Sequence, residues 1–408
     1  MRLKYVMAPL VLALLSSCGG GGSSGSAQTD VARTNGLVAQ EAKRPGSAQV
    51  RVRLSEVSRG FSFPWGMAFL PDGRLLVTER AGRLQVVDSN GRKMEIFGVP
   101  PMPYLEQAGL LDVALDPRFA DNGFVYLTFA ERDDTDASLT GTSVARAFLD
   151  LSSRQLVGWV VIYRQWPKVA SERHYGARLA FGHDGYLFLT MGERFLAEEA
   201  PKAQDLGLGH GKVVRITTDG LAAPQNPFMA TSGAQPEIWT LGHRNPQGAA
   251  VHPLTGDLWI SEHGAQGGDE INRLLSGGNY GWPLVSRSQQ YGTEDPIGVS
   301  SQAGMVDPVW VWETIDGSPW TAGPKSSTAP AGMAFYPASG RVSQWRGNLF
   351  VTALVGRALW RLTLNGNTVV GQERMLADLN ERLRDVEVAP DGALFLITDS
   401  GRLLRYGP

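Results

Sequence analysis

The amino-acid sequence predicts an all-β fold, a six-bladed β-propeller built from four-stranded blades. Three observations carry that expectation. A short turn-and-strand pattern returns six times, no long segment has helical periodicity, and strand-like segments stand near Val50 and at the C-terminal end.

The repeated pattern is a turn with Asp-Gly or a near equivalent, followed by alternating apolar residues. It reads PDGRLLVTE from Pro71, DNGFVYLTF from Asp121, HDGYLFLTM from His183, LTGDLWISE from Leu254, WRGNLFVTA from Trp345 and PDGALFLIT from Pro390. The turn residues supply the positive φ of tight hairpins, and Leu75, Val77, Leu187 and Leu189 alternate as a strand requires. Copies stand roughly 45 to 90 residues apart, with Gly- and Pro-rich linkers between them, which suits blades carrying insertions better than a tight solenoid. VRVRLSEV from Val50 and the segment Arg402 to Tyr406 both read as strands, so one terminus is expected to complete a blade begun by the other. A β-sandwich plus a second domain is the alternative, and it would require a mid-chain linker that the composition does not offer.

The first residues carry Arg2 and Lys4, an apolar run from Val6 to Leu15, and then Leu15-Ser16-Ser17-Cys18. This reads as a signal peptide over residues 1–17, and the run is too short for a stable membrane span, which takes about 20 apolar residues. Leu-Ser-Ser-Cys resembles the bacterial lipoprotein cleavage box. Cys18 is the only cysteine, which excludes an internal disulfide and leaves its thiol free for acylation; an ordinary secretory signal that discards Cys18 is the other reading. Residues 18–48, rich in Gly, Ser, Ala and Gln, read as a flexible tether, and residues 49–408 as the propeller. An exported protein, in the periplasm or at the outer membrane, follows from that order.

A net charge of −2 gives no basic footprint for nucleic acid, and after Leu15 no apolar run is long enough to span a bilayer, so membrane attachment is expected only through the anchor. Small molecules and redox carriers are the expected partners, for a monomer or a dimer.

The chemistry-bearing residues concentrate between Trp239 and Pro283, in LGHRNPQGAAVHPLTGDLWISEHGAQGGDEINRLLSGGNYGWP. Together with HYGARLAFGHDGYLFLTMGER from His174, EQAGLLDVALDPRF from Glu106 and ERLRDVEVAPDGALFLITD from Glu381, this segment resembles the soluble aldose sugar dehydrogenases that use pyrroloquinoline quinone, from about Val52 to Tyr406. The resemblance implies an enzyme that oxidises aldoses at the anomeric carbon to lactones, with quinone and calcium as cofactors and electrons passed to an unknown acceptor.

It also implies roles for particular residues. His174 matches the catalytic base, and imidazole can accept a proton near neutral pH. Arg382 and Arg384 match a pair that grips the quinone carboxylates; at i, i+2 in a strand they share a face and repel unless an acid lies between them, with Glu381, Asp385 or Glu387 as alternative partners. Gln107, Arg244, Asn245 and, less securely, Tyr291 match quinone contacts, with Gln247 on the sugar and Trp312 as its expected wall. Calcium is expected on the main-chain carbonyls of Gly264 and Ala265, where the family carries Gly-Pro, with Asp269 beside it; Glu270 and Tyr280 match a second, structural calcium. The sequence departs from the family pattern at Ala177, Glu193 and Ala331, and a loop from about Thr314 to Thr328, holding Trp320 and Lys325, reads as longer than usual.

Other readings stay open. Zinc on His243, Glu262 and His263 has spacing that matches no usual zinc motif. Asp269 and Glu270 can serve as loop hydrogen-bond acceptors instead of metal neighbours. His183, His210 and His252 sit in turn-like contexts and are expected at the surface. A calcium-dependent propeller lactonase would require inward side-chain Asn, Asp and Glu ligands, and a non-catalytic binding propeller would be favoured by loss of His174 or of the arginine pair.

Overall fold

A computed structural model describes residues 50–408; the segments read as signal peptide and tether, with Cys18, lie outside the described residues. The described chain forms six four-stranded antiparallel sheets. The inner strands are Pro64–Phe69, Leu110–Leu115, Gly176–Phe181, Pro246–Val251, Pro330–Phe335 and Leu383–Val388, each neighbouring the next around a closed ring. This is a six-bladed propeller. Each copy of the repeated motif supplies the hairpin turn and the second strand of a blade, as in Leu75–Glu79 and Leu187–Met191, with Gly73 and Gly185 at positive φ as the turns require. The ring closes as the terminal strands suggested: Arg53–Arg59 is the outer strand of the last blade and pairs antiparallel with Arg402–Gly407, Arg53 facing Gly407.

Leucine, valine and isoleucine from successive blades fill the spaces between sheets, and the second strands Leu75–Glu79, Leu187–Met191, Leu258–Glu262 and Leu349–Ala353 are buried along their whole length. Strands covered on both sides tolerate polar groups only when these are bonded. The repeated motif meets that condition with a hydroxyl. Thr78, Thr128, Thr190 and Ser261 each donate from the second strand to a carbonyl on the inner strand of the following blade: Leu111, Ala177 (2.7 Å), Pro246 (2.8 Å) and Ala331 (2.6 Å). Thr78, Thr128 and Thr190 also accept an amide from their own inner strand.

Every inner strand shifts register near its first residues, for example between Pro64 and Met67 and between Leu383 and Asp385. Bulges of this kind re-aim side chains, and the six occur at the same end of the ring. The third residue of each inner strand is Gly66, Asp112, Arg178, Gly248, Gly332 or Asp385. Arg178 Nη1 lies 3.0 Å from Asp112 and 3.1 Å from Asp385, its Nε donates to the Gln247 carbonyl at 3.0 Å, and all three side chains are buried. Burial raises both carboxyls above their ordinary range while Arg178 opposes it. The glycines leave room for this triplet: a Cβ at Gly332 would stand 1.8 Å from Oδ1 of Asp385.

Candidate active site

The bulged ends of the inner strands surround a cavity of about 430 Å³, and Gln107, Gln247, His263, Arg382, Arg384 and Asp399 are among the residues lining it. Trp65 and Leu111 also line it, and the buried Arg178 guanidinium lies 4.3 Å from the Trp65 ring.

Tyr175 and Gly176, at the start of the third inner strand, line the cavity, and His174 precedes them. His174 has φ 52, an uncommon conformation for a side-chain-bearing residue. The backbone approaches closely here, since a Cβ at Gly192 would be 2.1 Å from the His174 carbonyl. Nδ1 of His174 is 2.7 Å from Oε2 of Glu193, its amide donates to Oε1 of Gln107 at 2.9 Å, and its ring meets Phe195 edge-on at 5.0 Å. With Nδ1 engaged by a carboxylate, Nε2 is the nitrogen left to take a proton. Burial holds the imidazole below its ordinary pKa, the Glu193 charge opposes that, and the Arg244 and Arg194 guanidiniums add to it. Glutamate thus fills the position that departs from the family's aspartate and reaches the ring.

Arg382 and Arg384 both reach Asp399, at 2.7 and 3.0 Å, and not Glu381, Asp385 or Glu387. Asp399 is the acid that lets two guanidiniums share one face, and the sequence reading missed it. Arg384 also donates to Oε1 of Gln247 at 2.8 Å, joining the arginine pair to the fourth blade. Arg244 donates to the Gly264 carbonyl at 2.6 Å and to the Tyr291 hydroxyl at 2.8 Å, with the Trp282 ring 5.2 Å away. Asn245 is fully buried; its Oδ1 accepts from the Gly176 amide at 3.2 Å and its Nδ2 has no partner among the described residues.

Four arginines meet few acids here. Arg382 and Arg384 share one carboxylate, while Arg244 and the pocket-lining Arg80 have none within 4.0 Å among the described residues. A multiply charged planar anion with several carboxylates fits that donor set.

Of the expected metal residues, Gly264, Glu270 and Tyr280 line a second, narrower recess together with Glu262 and Arg244. Asp269 is fully buried and accepts from Ser327 Oγ and from the amides of Thr328 (2.6 Å), Ala329 (2.9 Å) and Gly264 (2.9 Å), so its carboxylate ties Gly264 to the strand that begins the fifth blade. Glu262 and Glu270 stand directly opposite each other across paired strands. Glu262 is engaged by His243 and the Arg244 amide, whereas Glu270 has only Asn272 Nδ2 at 3.2 Å, and Asn272 Oδ1 has no donor. Burial, aided by the Glu262 charge, pushes Glu270 up to about 8. Adjacent carboxylates and an unused amide oxygen suit a hard, oxygen-seeking cation.

Two expectations are corrected, and the alternative zinc reading falls. Trp312 is 1% exposed on the outermost strand of its blade, where Nε1 donates to Gln372 at 2.9 Å and the ring packs 5.6 Å from Trp360; it is core between two blades and is not among the residues lining the cavity. Val355, 44% exposed, and Phe63, 47% exposed, line the cavity instead. His210 is buried, not at the surface, with Nε2 3.1 Å from Glu199, and burial drives its pKa down to about 3. Zinc on His243, Glu262 and His263 fails because His243 bonds Thr240 and Glu262 through its two nitrogens while His263 Nε2 contacts the Pro330 carbonyl at 2.7 Å. No group of three or more His, Cys, Asp or Glu able to hold a metal occurs among the described residues, so a cation would depend on backbone and amide oxygens too.

Residues 61–405 match the glucose/sorbosone dehydrogenase family. The aldose sugar dehydrogenase of Escherichia coli K12 is 38% identical over 368 residues, 89% of this chain and 94% of that one. The apo-form crystal structure of the soluble aldose sugar dehydrogenase from Escherichia coli has a TM-score of 0.80 at 37% identity, covering 88% of this chain and 100% of the other. The PQQ-bound aldose sugar dehydrogenase of Streptomyces coelicolor has a TM-score of 0.70 at 30% identity, covering 88% and 98%.

Proposed function

Because the chain belongs to the glucose/sorbosone dehydrogenase family, whose members it resembles along nearly its whole propeller, we propose that this sugar oxidoreductase converts aldoses to lactones at the anomeric carbon, using pyrroloquinoline quinone and calcium. The observation that carries this reading is the pairing of a buried, carboxylate-oriented imidazole with a cavity whose guanidiniums outnumber its acids.

Arg382 and Arg384 would hold quinone carboxylates from the sixth blade, and Arg244 and Asn245 would meet the quinone from the fourth. Gln247, fixed by Arg384, presents its amide to the sugar. The Gly264 and Ala265 carbonyls, at the recess beside the cavity, would hold the cofactor calcium, while Glu270 and Asn272 would suit the second ion. When bound, the quinone supplies a two-electron acceptor and calcium a Lewis acid.

His174 performs the proton step. Glu193 fixes the ring with Nδ1 as donor, and Nε2 takes the proton of the C1 hydroxyl as hydride leaves C1. Burial lowers its pKa, which favours the neutral, proton-accepting imidazole. The glutamate then stabilises the imidazolium that forms.

Export and lipid attachment at Cys18 complete the proposal, supported by the apolar run from Val6 to Leu15 and the Leu-Ser-Ser-Cys sequence. Electrons pass to an acceptor outside the protein. Incorporation of labelled fatty acid into the wild type but not into Cys18→Ser tests the anchor; equal labelling would refute it. For the chemistry, purified apoprotein is reconstituted with pyrroloquinoline quinone and calcium, and dye reduction is followed with several aldoses. Sugar-dependent reduction with a protein-bound quinone spectrum is expected. Absence of both would overturn the cofactor assignment.

A further inference from the structure

We propose that Arg80 is a further guanidinium anchor for the anionic cofactor, added to Arg382, Arg384 and Arg244 and reaching it from the first blade, opposite the assigned cofactor contacts of the fourth. The inference rests on the quinone reading above and adds a residue that the family resemblance did not assign.

Arg80 follows the second strand of the first blade and lines the same cavity as Arg382 and Arg384. Those two are balanced in part by Asp399. Arg80 has no carboxylate within 4.0 Å among the described residues, and its one side-chain hydrogen bond goes to the Glu106 carbonyl. The Glu106 carboxylate is turned to Arg173 instead, at 3.4 Å. Two aromatic rings hold the guanidinium in place, Phe63 at 5.1 Å and Tyr104 at 5.6 Å from its carbon. A guanidinium held between rings has lost much of its freedom before any ligand arrives.

The support around Arg80 is itself strained. Phe63 and Glu106 both adopt positive φ, at 48 and 44, a conformation that disfavours residues with side chains. Strain of this kind persists where surrounding structure over-determines it, and it clusters at ligand clamps. Burial and the nearby positive charge of Arg384 both disfavour the cation at Arg80, while Asp399 and Glu106 oppose them. An anion entering between Arg80 and Arg384 would relieve that repulsion.

The test measures quinone binding, not turnover. Pyrroloquinoline quinone is titrated calorimetrically, in calcium, into the wild-type apoprotein and into Arg80→Met, Arg80→Lys and Arg154→Met, the last altering an arginine outside the cavity. Arg80→Met is expected to weaken binding roughly 10- to 100-fold, the range of one charge-assisted contact. Arg80→Lys keeps the charge and recovers part of the loss; Arg154→Met matches the wild type. If the wild type binds and both Arg80 variants stay within about twofold of it, the anchor role is overturned and the quinone reading stands. If the wild type does not bind, the quinone reading falls and this inference with it.

Discussion

The propeller axis is built from the third residues of the inner strands and the cavity above it from residues near the same ends of the blade strands, yet the two treat charge in opposite ways. On the axis, Arg178 bridges Asp112 and Asp385, and its Nε rests on a carbonyl. One and three residues before Asp385, Arg384 and Arg382 share a single Asp399, while Arg80 and Arg244 have no acid partner within 4.0 Å among the described residues. The axis is paired and closed around its cation. The cavity keeps an excess of positive charge at preorganised positions, and that excess is what an anionic ligand requires. Similar side chains therefore serve cohesion in one layer and recognition in the next, according to whether their charges are matched within the chain.

This contrast can be broken from either side. Arg178→Met should have the largest effect on stability, leaving two buried carboxyls without their shared cation at a cost of about 3–5 kcal/mol. Chemical denaturation would check it, and an unchanged midpoint would show that the axis is not held by charge. Arg384→Met should change apoprotein stability by no more than about 1 kcal/mol, because Asp399 retains Arg382. The same variant should weaken quinone binding roughly 10- to 100-fold, and a loss of stability equal to that of Arg178→Met would erase the distinction between the layers.

Thr128→Val removes a hydroxyl that accepts from Asp112 and donates to Ala177, joining the second and third blades. A loss of about 1–3 kcal/mol is expected from the buried groups left unbonded, measured by thermal or denaturant unfolding. The smallest shift concerns pH. Burial lowers the His174 pKa and Glu193 raises it. Glu193→Gln removes the raising charge, so the imidazole becomes harder to protonate and the acid limb of kcat/KM moves to lower pH. Movement toward higher pH would contradict the assignment of Glu193 as the charge that supports the imidazolium.

Much of the fold was legible because hairpins leave local marks. The six motif copies locate the second strands, and the terminal strands foretold the closing of the ring through Arg53–Arg59 and Arg402–Gly407. The placement of the site was legible where local motifs carried it: Arg382 and Arg384 line the cavity, and His174 directly precedes Tyr175 and Gly176, which line it. What escaped was pairing across blades. Asp399 lies 15 residues beyond Arg384, and nothing in their spacing marks the contact. The Asp112–Arg178–Asp385 triplet joins three blades through a shared strand position visible only once register is known. Trp312 misled because an aromatic near a binding segment reads alike whether it faces a cavity or the packing between blades; here it faces the packing.

The central claim is that binding and proton transfer occupy separable parts of this cavity, the arginines holding the cofactor and His174 performing the chemistry. The most direct test compares His174→Ala with the wild type after reconstitution with pyrroloquinoline quinone and calcium, reading the bound-quinone spectrum and sugar-dependent dye reduction on the same samples. The account predicts a quinone spectrum like that of the wild type and turnover lower by roughly 10²- to 10⁴-fold, the contribution of a general base. Full turnover in the variant, or loss of the bound quinone along with activity, would contradict it.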